Sequence, residues 1–269
     1  MTRKLKELVM VIRGAGDLAS GVAHRLWQAG FKRILMVELT KPLAVRRAVS
    51  FSEAVYDGRQ TVEGVTAVFI SELDQAASSW SQNLVPVLID PNLSRVGSFL
   101  FDVLIEATLA KRNSGIRLDL APLVIALGPG FSAGIDAHFV VETNRGHHLG
   151  RVIYSGPAEK NTGIPGNIAG YTADRVFRAP VAGIFETSHV LGDTVQPGET
   201  VAWVSGHPVS VRTAGVLRGL IRPGIEVTAG LKVGDVDPRG NPDYLNTISE
   251  KARAVGGAVL EVILRVYNV

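Results

Sequence analysis

The segment MVIRGAGDLASGVAHRLWQAG, residues 10–30, decides the predicted fold because it places a strand, a glycine turn and a helix in succession. Its first residues continue an apolar run that favours a buried strand. After the turn, Leu18, Val22 and Leu26 recur at helical spacing and form one apolar stripe. Gly30 then offers a residue suited to ending a helix. The segment therefore predicts the first strand–helix unit of an α/β protein.

Similar apolar, β-branched runs recur along the first half of the chain. Most are apolar at consecutive positions, which is typical of parallel strands buried on both faces. Helix-like segments separate several of them, as in βαβ units. We therefore predict an α/β fold with a Rossmann-like, open, mostly parallel sheet over residues 1–150. The runs are Leu8–Ile12, Ile34–Val37, Val65–Ile70, Leu84–Ile89, Val103–Ile105 and Leu123–Leu127.

The composition excludes several classes of chemistry. The 269 residues include no cysteine, which excludes disulfides, thiolate metal sites and cysteine nucleophiles. The formal charge of +3 is spread along the chain and aromatic residues are scarce, so we expect no nucleic-acid partner. The apolar run near the N-terminus is too short for a signal peptide or a membrane span. We expect a cytoplasmic protein without a membrane partner.

Residues 175–236 form a second region with an internal repeat. Three glycines match at one constant offset: Gly183 with Gly215, Gly192 with Gly224, and Gly198 with Gly230. Two similar β units suggest a pseudo-symmetric structure whose halves bury each other's apolar faces. The pattern is similar to biotinyl and lipoyl carrier domains, and predicts an inserted small β domain of barrel-sandwich-hybrid type. Those domains attach their cofactor to a hairpin lysine, but the hairpin VSGHPVSV has none, so we expect no biotin or lipoate.

The segments flanking the β domain receive separate predictions. Residues 151–174 are rich in glycine and proline and predict an interdomain linker or a ligand lid. Residues 237–269 predict a return segment, with a helix over 246–266 that packs back on the first domain. Thr247 and Glu250 fit a capping box for this helix. Gly256 and Gly257 are poor helix formers, so they indicate close packing against another element.

The first glycine turn is a candidate phosphate site. Gly14, Gly16 and an alanine at 19 have dinucleotide-loop spacing, and Glu38 ends the next strand, where it would accept hydrogen bonds from a ribose. Backbone N–H groups at the start of the helix favour an anion. Asp17 and Ser20 belong to the same candidate set, although Asp17 has an alternative reading as a helix cap that repels phosphate. The other alternative is a turn retained only for packing.

The second glycine turn follows the last parallel strand. Gly128 and Gly130 would provide backbone donors to an anion at the carboxyl edge of the sheet. Ser132 lies in GFSAG, which matches the nucleophile-elbow pattern of serine hydrolases, but no helix is predicted after it. The adjacent His147 and His148 would point to opposite faces of a strand, so we predict no metal site.

Two acidic positions also fall at predicted strand ends. Asp90 follows one strand, and Glu106 with Thr108 ends another, at the edge where open α/β sheets bind ligands. Capping of loops or helices is the alternative for each of them.

Several strings together resemble the YqeB-type family, from about Val9 to Leu264. They are VIRGAGDLASGVAHRL, AVSFSEAVYDG, PLVIALGPGFSAGIDAHFVVETNRGHHLGRV, NTGIPGNIAGY, RVFRAPVAG and TISEKARAVGGAVLEVIL. The resemblance implies an accessory protein of a selenium-dependent molybdenum hydroxylase, acting in enzyme maturation. Its partners would be the hydroxylase or its other maturation proteins.

The resemblance assigns no catalytic residues to this chain, so it does not decide whether the chain is an enzyme. Without cysteine, the chain cannot hold sulfur or selenium on its own thiol. A small anionic ligand is expected instead, either a molybdopterin-type cofactor or NAD(P). The alternatives are an NAD(P)-dependent oxidoreductase and a non-enzymatic scaffold that docks an enzyme through the β domain. Homo-oligomerisation is compatible with all three.

Overall fold

The computed structural model describes residues 4–268 and divides the chain into two compact units. The first unit comprises the chain up to Pro42, Ser50–Asn161 and the part from Ile248 onwards. The second comprises Leu43–Val49 and Thr162–Thr247. The predicted linker or lid over residues 151–174 is therefore shared between the two units. The assignment of the short segment Leu43–Val49 to the second unit has no counterpart in the sequence prediction.

Nine of the described strands form one sheet in the first unit, in the order β10-β9-β7-β6-β1-β2-β5-β4-β3. Every pairing in it is parallel except those of β3 with β4 and of β9 with β10 at the two edges. The strands β8 and β11 form a separate antiparallel pair. The bounds are β1 (Val9–Arg13), β2 (Arg33–Glu38), β3 (Arg59–Val62), β4 (Val65–Ile70), β5 (Val85–Ile89), β6 (Val103–Glu106), β7 (Leu123–Leu127), β8 (Ser132–Ala133), β9 (Phe139–Val141), β10 (Val152–Ile153) and β11 (Gly156–Pro157).

The predicted open, mostly parallel sheet is confirmed, and all six apolar runs coincide with its strands, although Leu8 and Leu84 lie one residue before β1 and β5. The central strands are apolar at successive positions because both of their faces are buried; all five residues of β7 are buried. The α-helices of the described region are α1 (Asp17–Gln28), α2 (Ala54–Asp57), α3 (Gln75–Ser81) and α4 (Glu250–Tyr267).

The helices α1 and α4 pack closely because of two glycines. A Cβ on Gly21 would lie 2.6 Å from Cβ of Ala252, and one on Gly256 would lie 3.1 Å from the carbonyl oxygen of Gly21. The predicted close packing is therefore confirmed for Gly256. It is wrong for Gly257, where a Cβ would have no neighbour within 4 Å.

The start of α4 differs from the predicted capping box. The N-cap is Ser249, whose side chain accepts a hydrogen bond from the backbone N of Ala252 at 3.2 Å. The Thr247 hydroxyl instead donates to the carbonyl of Asp243 at 2.9 Å. Thr247 is thus held by the preceding turn, and the helix begins at Glu250 rather than at 246.

The second unit contains two four-stranded antiparallel sheets, ordered β12-β19-β17-β14 and β16-β15-β13-β18. The first half of the repeat supplies β13, β14 and β15, and the second half supplies β17, β18 and β19. Each half places two strands in one sheet and the third in the other. The bounds are β12 (Val176–Arg178), β13 (Gly183–Glu186), β14 (Thr194–Val195), β15 (Thr200–Val204), β16 (His207–Ser210), β17 (Gly215–Leu220), β18 (Glu226–Val227) and β19 (Lys232–Asp237).

The two halves also make equivalent backbone hydrogen bonds, each running from one half of the repeat to the other. The amide of Gly192 donates to the carbonyl of Leu217 at 2.9 Å, and the equivalent Gly224 donates to Phe185 at 2.8 Å. Both glycines have positive φ, +101° and +81°, which side chains rarely adopt. The matched glycines therefore mark equivalent turns, and the two halves are related by an approximate two-fold exchange of strands.

Buried ion pairs line one sheet of this unit. Asp235 lies 2.6 Å from Nζ of Lys232 and 3.7 Å from Arg175. Burial alone would raise the pKa of Asp235, but Lys232, Arg175 and Arg218 outweigh it and hold the pKa below its usual range. The carboxylate is thus charged in the fold and compensates Arg175 and Arg218, which are themselves buried.

Candidate functional site

The parallel strands bring their carboxyl ends to one edge of the first unit. The chain leaves β1 towards β2 on one side and later returns to place β6 on the other, so β1 and β6 flank the topological switch point. Ligands of open α/β sheets bind at such points. Most of the predicted site residues follow strands that end at this edge: Gly14, Gly16 and Asp17 after β1, Glu38 at the end of β2, and Gly128 and Gly130 after β7.

Gly14 is required by packing at the switch point. Its φ is +100°, and a Cβ would lie 3.3 Å from the backbone of Ala107 and from the amide of Thr108. Its own amide donates to the carbonyl of Val37 at 2.8 Å. The glycine therefore lets three neighbouring strand ends approach one another closely.

Gly16 differs from Gly14 because it faces open space. It is the N-cap of α1, no side chain caps the helix there, and a Cβ would have no neighbour within 4 Å. Asp17 is the first residue of the helix, so the interpretation of Asp17 as the cap is wrong. Its Oδ1 accepts from the amide of Leu18 at 2.9 Å. The start of α1 is thus open at Gly16 and carries a carboxylate beside it.

Ser20 is fully buried and holds the turn to the following loop. Its hydroxyl donates to the carbonyl of Ala15 at 3.0 Å and accepts from the amide of Phe51 at 2.8 Å. The amide of Ser52 donates to the same carbonyl at 2.8 Å. Ser20 therefore supports the turn from inside, where a ligand does not reach it.

The carboxylate of Glu38 binds the backbone of the same turn. Its Oε2 accepts from the amide of Ala15 and its Oε1 from the amide of Leu39, both at 2.7 Å. Burial raises the pKa of Glu38, although these two amides act in the opposite direction. The oxygens expected to meet a ribose thus already fix the end of β2 to the glycine turn.

Asp90 organises the loop after β5 in the same way. Only 2% of it is exposed, and its two oxygens accept from the amides of Ser94, Arg95 and Val96 at 2.9 Å each. These bonds are those of a loop-capping aspartate, the alternative considered for this position.

Glu106 is fully buried and pairs with Arg13, which the sequence alone does not identify as its partner. Its Oε2 lies 2.9 Å from the guanidinium of Arg13, and its Oε1 accepts from both the amide and the hydroxyl of Thr108. Arg13 also donates to the carbonyl of Pro91 at 2.8 Å. The charge of Arg13 is therefore compensated inside the fold, next to the glycine turn.

The second glycine turn is closed by the chain itself. A Cβ on Gly130 would lie 2.3 Å from the carbonyl oxygen of Ala110, and one on Gly128 would lie 2.9 Å from the hydroxyl of Thr143. The atoms that approach these glycines are thus neighbouring protein atoms, which explains both glycines by packing.

Ser132 does not occupy a nucleophile elbow. It lies in the short strand β8, its amide donates to the carboxylate of Asp136 at 2.8 Å, and a turn follows it. The elbow requires a strand–turn–helix context, so the pattern match is coincidental here.

An open cleft of about 400 Å³ lies in the first unit beside the loop between β9 and β10. It is lined by His147, His148, Leu149, Gly150 and Arg151. Sequence reasoning missed it because only the adjacent histidines stood out. In the part of the chain that the structure describes, no three His, Asp or Glu side chains are grouped to hold a metal ion.

The fold and this edge define the chain as an open α/β protein with a pseudo-symmetric β unit. No family model matches the chain. It is 50% identical over 256 residues to the uncharacterized protein YqeB of Escherichia coli strain K12, covering 95% of this chain and 47% of that protein. The chain therefore belongs to the YqeB-type family and spans about half the length of this relative.

Some solved structures show weaker likeness. A succinylglutamate desuccinylase/aspartoacylase from Rhodobacter sphaeroides is 29% identical over 32% of this chain and 29% of that one, with a TM-score of 0.23. The ectoine utilization protein EutE from Ruegeria pomeroyi is 12% identical over 85% of each chain, with a TM-score of 0.25. TM-scores of 0.23 and 0.25 are too low to show a shared fold. Within residues 4–268, no helix has the length and apolarity to cross a membrane.

Proposed function

We propose that this chain is an accessory protein for maturation of a selenium-dependent molybdenum hydroxylase and binds a phosphate-bearing ligand at the start of α1. The single observation that carries the binding proposal is the open space at Gly16, the uncapped N-cap of a 12-residue helix at the switch point of a parallel sheet. The role in maturation rests on the resemblance to the family.

The start of α1 suits an anion for a physical reason. The first N–H groups of a helix lack partners within the helix, and the helix dipole adds positive potential there, worth about 0.3–1 kcal/mol for a nearby negative group. Asp17 competes for this position, since its carboxylate accepts the amide of Leu18. The ligand must therefore approach from the Gly16 side.

The lack of cysteine defines the part the chain would play in maturation. It would bind the cofactor itself, of molybdopterin or nucleotide type, while a different protein supplies the sulfur or selenium. Phosphate is the group that such cofactors share, and backbone amides recognise it without a charged side chain.

Calorimetric titration with a molybdopterin dinucleotide and with ADP tests the binding proposal. We expect Gly16→Val to lower affinity at least about tenfold by covering the helix start, since φ −67° and ψ −176° at this residue suit valine. Asp17→Asn should raise affinity by about two- to fivefold because it removes the competing charge. Gly257→Ala, a glycine substitution on α4 that meets no neighbour, is the matched control. Absence of heat with both probes in the wild type would refute the proposal.

An NAD(P)-dependent oxidoreductase is the second candidate, favoured by the position of Gly14 and Glu38 at the ends of β1 and β2. A ribose would have to share the Glu38 oxygens with the amides of Ala15 and Leu39. Titration with NADH against ADP separates this candidate from the first. Equal affinity for the two excludes recognition of the nicotinamide half.

A scaffold that docks the hydroxylase is the third candidate, and with it we propose that the second unit is a barrel-sandwich hybrid. The exchange of strands between its two sheets supports that fold. Ile184 and Trp203, on the paired strands β13 and β15, are 45% and 37% exposed and would form the docking face. Trp203→Ala should weaken binding to the purified hydroxylase without changing the titrations at α1.

A further inference from the structure

The cleft lined by residues 147–151 is built on a loop that is closed at its base. The amide of Glu142 donates to the carbonyl of Arg151, and the amide of Gly150 donates to the carbonyl of Glu142, both at 2.9 Å. Gly150 has φ +79°, and a Cβ on it would lie 3.1 Å from the carbonyl oxygen of Ala254 in α4. The base of the loop is therefore fixed between its own strands and this helix.

His148 is held by a chain of hydrogen bonds that begins at a buried carboxylate. Glu142 is 2% exposed and accepts from the amide of Asn144 at 2.6 Å and from the amide of Glu159 at 2.7 Å. The carboxylate of Glu159 in turn contacts the side-chain amide of Asn144 at 2.7 Å and Nδ1 of His148 at 2.9 Å. The imidazole of His148 is thus positioned, through Glu159, by the buried carboxylate of Glu142.

This contact fixes which ring nitrogen remains available. Hydrogen bonds from Asn144 and His148 hold the pKa of Glu159 below its usual range, so its carboxylate is ionised and only accepts. Nδ1 of His148 therefore carries a proton, and Nε2 is left for a ligand.

Arg151 brings a positive charge to the same cleft. Within residues 4–268, no hydrogen bond or ion pair engages its guanidinium, and its side chain is exposed. The ring of His147 packs edge to face against that of His148, with centroids 5.2 Å apart. A guanidinium matches the paired oxygens of phosphate or carboxylate, and imidazole nitrogens add single hydrogen bonds.

We propose that this cleft binds an oxyanion of the phosphate type, independently of the ligand proposed at α1. Arg151 contacts two of the oxygens, and one proton is shared between Nε2 of His148 and a third. Nε2 is free to take part because Nδ1 is held by Glu159 at 2.9 Å. His147 closes the other side of the site.

NMR of the imidazole groups tests the proposal directly, because the chain has six histidines. The full chain is titrated at pH 7 with inorganic phosphate, and with chloride at matched ionic strength. We expect saturable shifts of His147 and His148 with phosphate alone. His189 pairs with Glu199 at 3.1 Å in the second unit and serves as the internal control, with unchanged signals.

Substitutions test which side chains of the cleft contact the phosphate. Arg151→Gln and His148→Gln should each lower phosphate affinity about tenfold, the effect of losing one charge-assisted contact, whereas His189→Gln should leave it unchanged. Gly16→Val should also leave it unchanged, which separates this site from the one at α1. Glycerol 3-phosphate distinguishes the sources: tighter binding than phosphate indicates a larger phosphorylated ligand, and equal binding indicates the free ion.

Two results would overturn the proposal. One is a shift of His147 and His148 that grows linearly with phosphate and matches the chloride titration. The other is full affinity in Arg151→Gln with native signals of His24 and His138, since the first unit is then folded and the guanidinium is not used.

Discussion

The contact between α1 and α4 predicts opposite outcomes for two adjacent glycines. Replacing either Gly256 or Gly257 by alanine gains about 1 kcal/mol of helix propensity. The new Cβ at 257 meets no atom within 4 Å, whereas the one at 256 would lie 3.0 Å from Cβ of Arg25 and 3.1 Å from the carbonyl oxygen of Gly21. Backbone atoms on a neighbouring helix cannot move away alone, so the helices must separate.

The difference between these two variants isolates the packing term because the propensity gain is common to both. Overpacking of a close contact costs about 1–3 kcal/mol, so Gly256→Ala should be less stable than Gly257→Ala by that amount. Each kcal/mol corresponds to about 2–4 °C in Tm for a chain of this size. Urea titration followed by tryptophan fluorescence, to which Trp27 buried in α1 contributes, measures both variants.

A double-mutant cycle extends the test to the tightest contact. Gly21→Ala places Cβ atoms 2.6 Å apart and should destabilise more than Gly256→Ala. Adding Ala252→Gly removes the opposing Cβ, so the pair should show a favourable coupling of about 1–3 kcal/mol. If Gly256→Ala equals or exceeds Gly257→Ala in stability, and the cycle shows no coupling, the helices do not meet at these residues.

Three further substitutions test other parts of the fold. Asp235→Asn leaves buried basic groups without their counterion and should cost about 3–5 kcal/mol by urea titration, while the exposed Asp119→Asn has no measurable effect. Because the folded pKa of Asp235 is lowered, its contribution is present at neutral pH and lost as the pH falls below the ordinary value of 3.8, so the variant should also lose acid sensitivity there. Gly130→Ala should cost at least about 2 kcal/mol through its backbone clash, and equal stability to wild type in thermal unfolding would contradict that packing. Ser249→Ala should cost about 1 kcal/mol and lower helical circular dichroism on heating first, because α4 loses its cap.

The parallel sheet could be predicted because its signal is local. Runs such as Leu123–Leu127 are apolar at every position, which is the composition of a short strand buried on both faces. The repeat in the β unit likewise predicted two similar halves. It did not predict that β14 and β18 cross to the sheet of the other half, since pairing partners follow from long-range contacts rather than from spacing.

The start of α4 shows how a local pattern can mislead. Thr247 and Glu250 have capping-box spacing, yet Ser249 caps the helix. Both hydroxyl residues suit an N-cap, and the preceding turn decides between them because Asp243 accepts the hydroxyl of Thr247. The sequence supplied the correct residue types, and the hydrogen bonding of the preceding turn selected the residue.

The carboxylates at the strand ends explain why the candidate site was harder to predict than the fold. Glu38, Asp90, Glu106 and Glu142 are four acidic residues at one edge, a pattern that in sequence resembles a ligand or metal site. In the structure each accepts at least one backbone amide of a loop at that edge. A sequence does not reveal whether such an oxygen meets a ligand or a backbone amide, because both uses require the same residue at the same strand end.

This use of the carboxylates limits what the edge can recognise. Acidic oxygens already committed to amides are poor partners for a cation, because a cation would have to displace bonds that hold the loops. The groups that face outwards there include hydrogen-bond donors: the helix start at Gly16, the guanidinium of Arg151 and the imidazoles beside it. We therefore propose anions as the ligands of both sites, with Glu38 and Glu142 serving them indirectly by fixing the loops on which the donors lie.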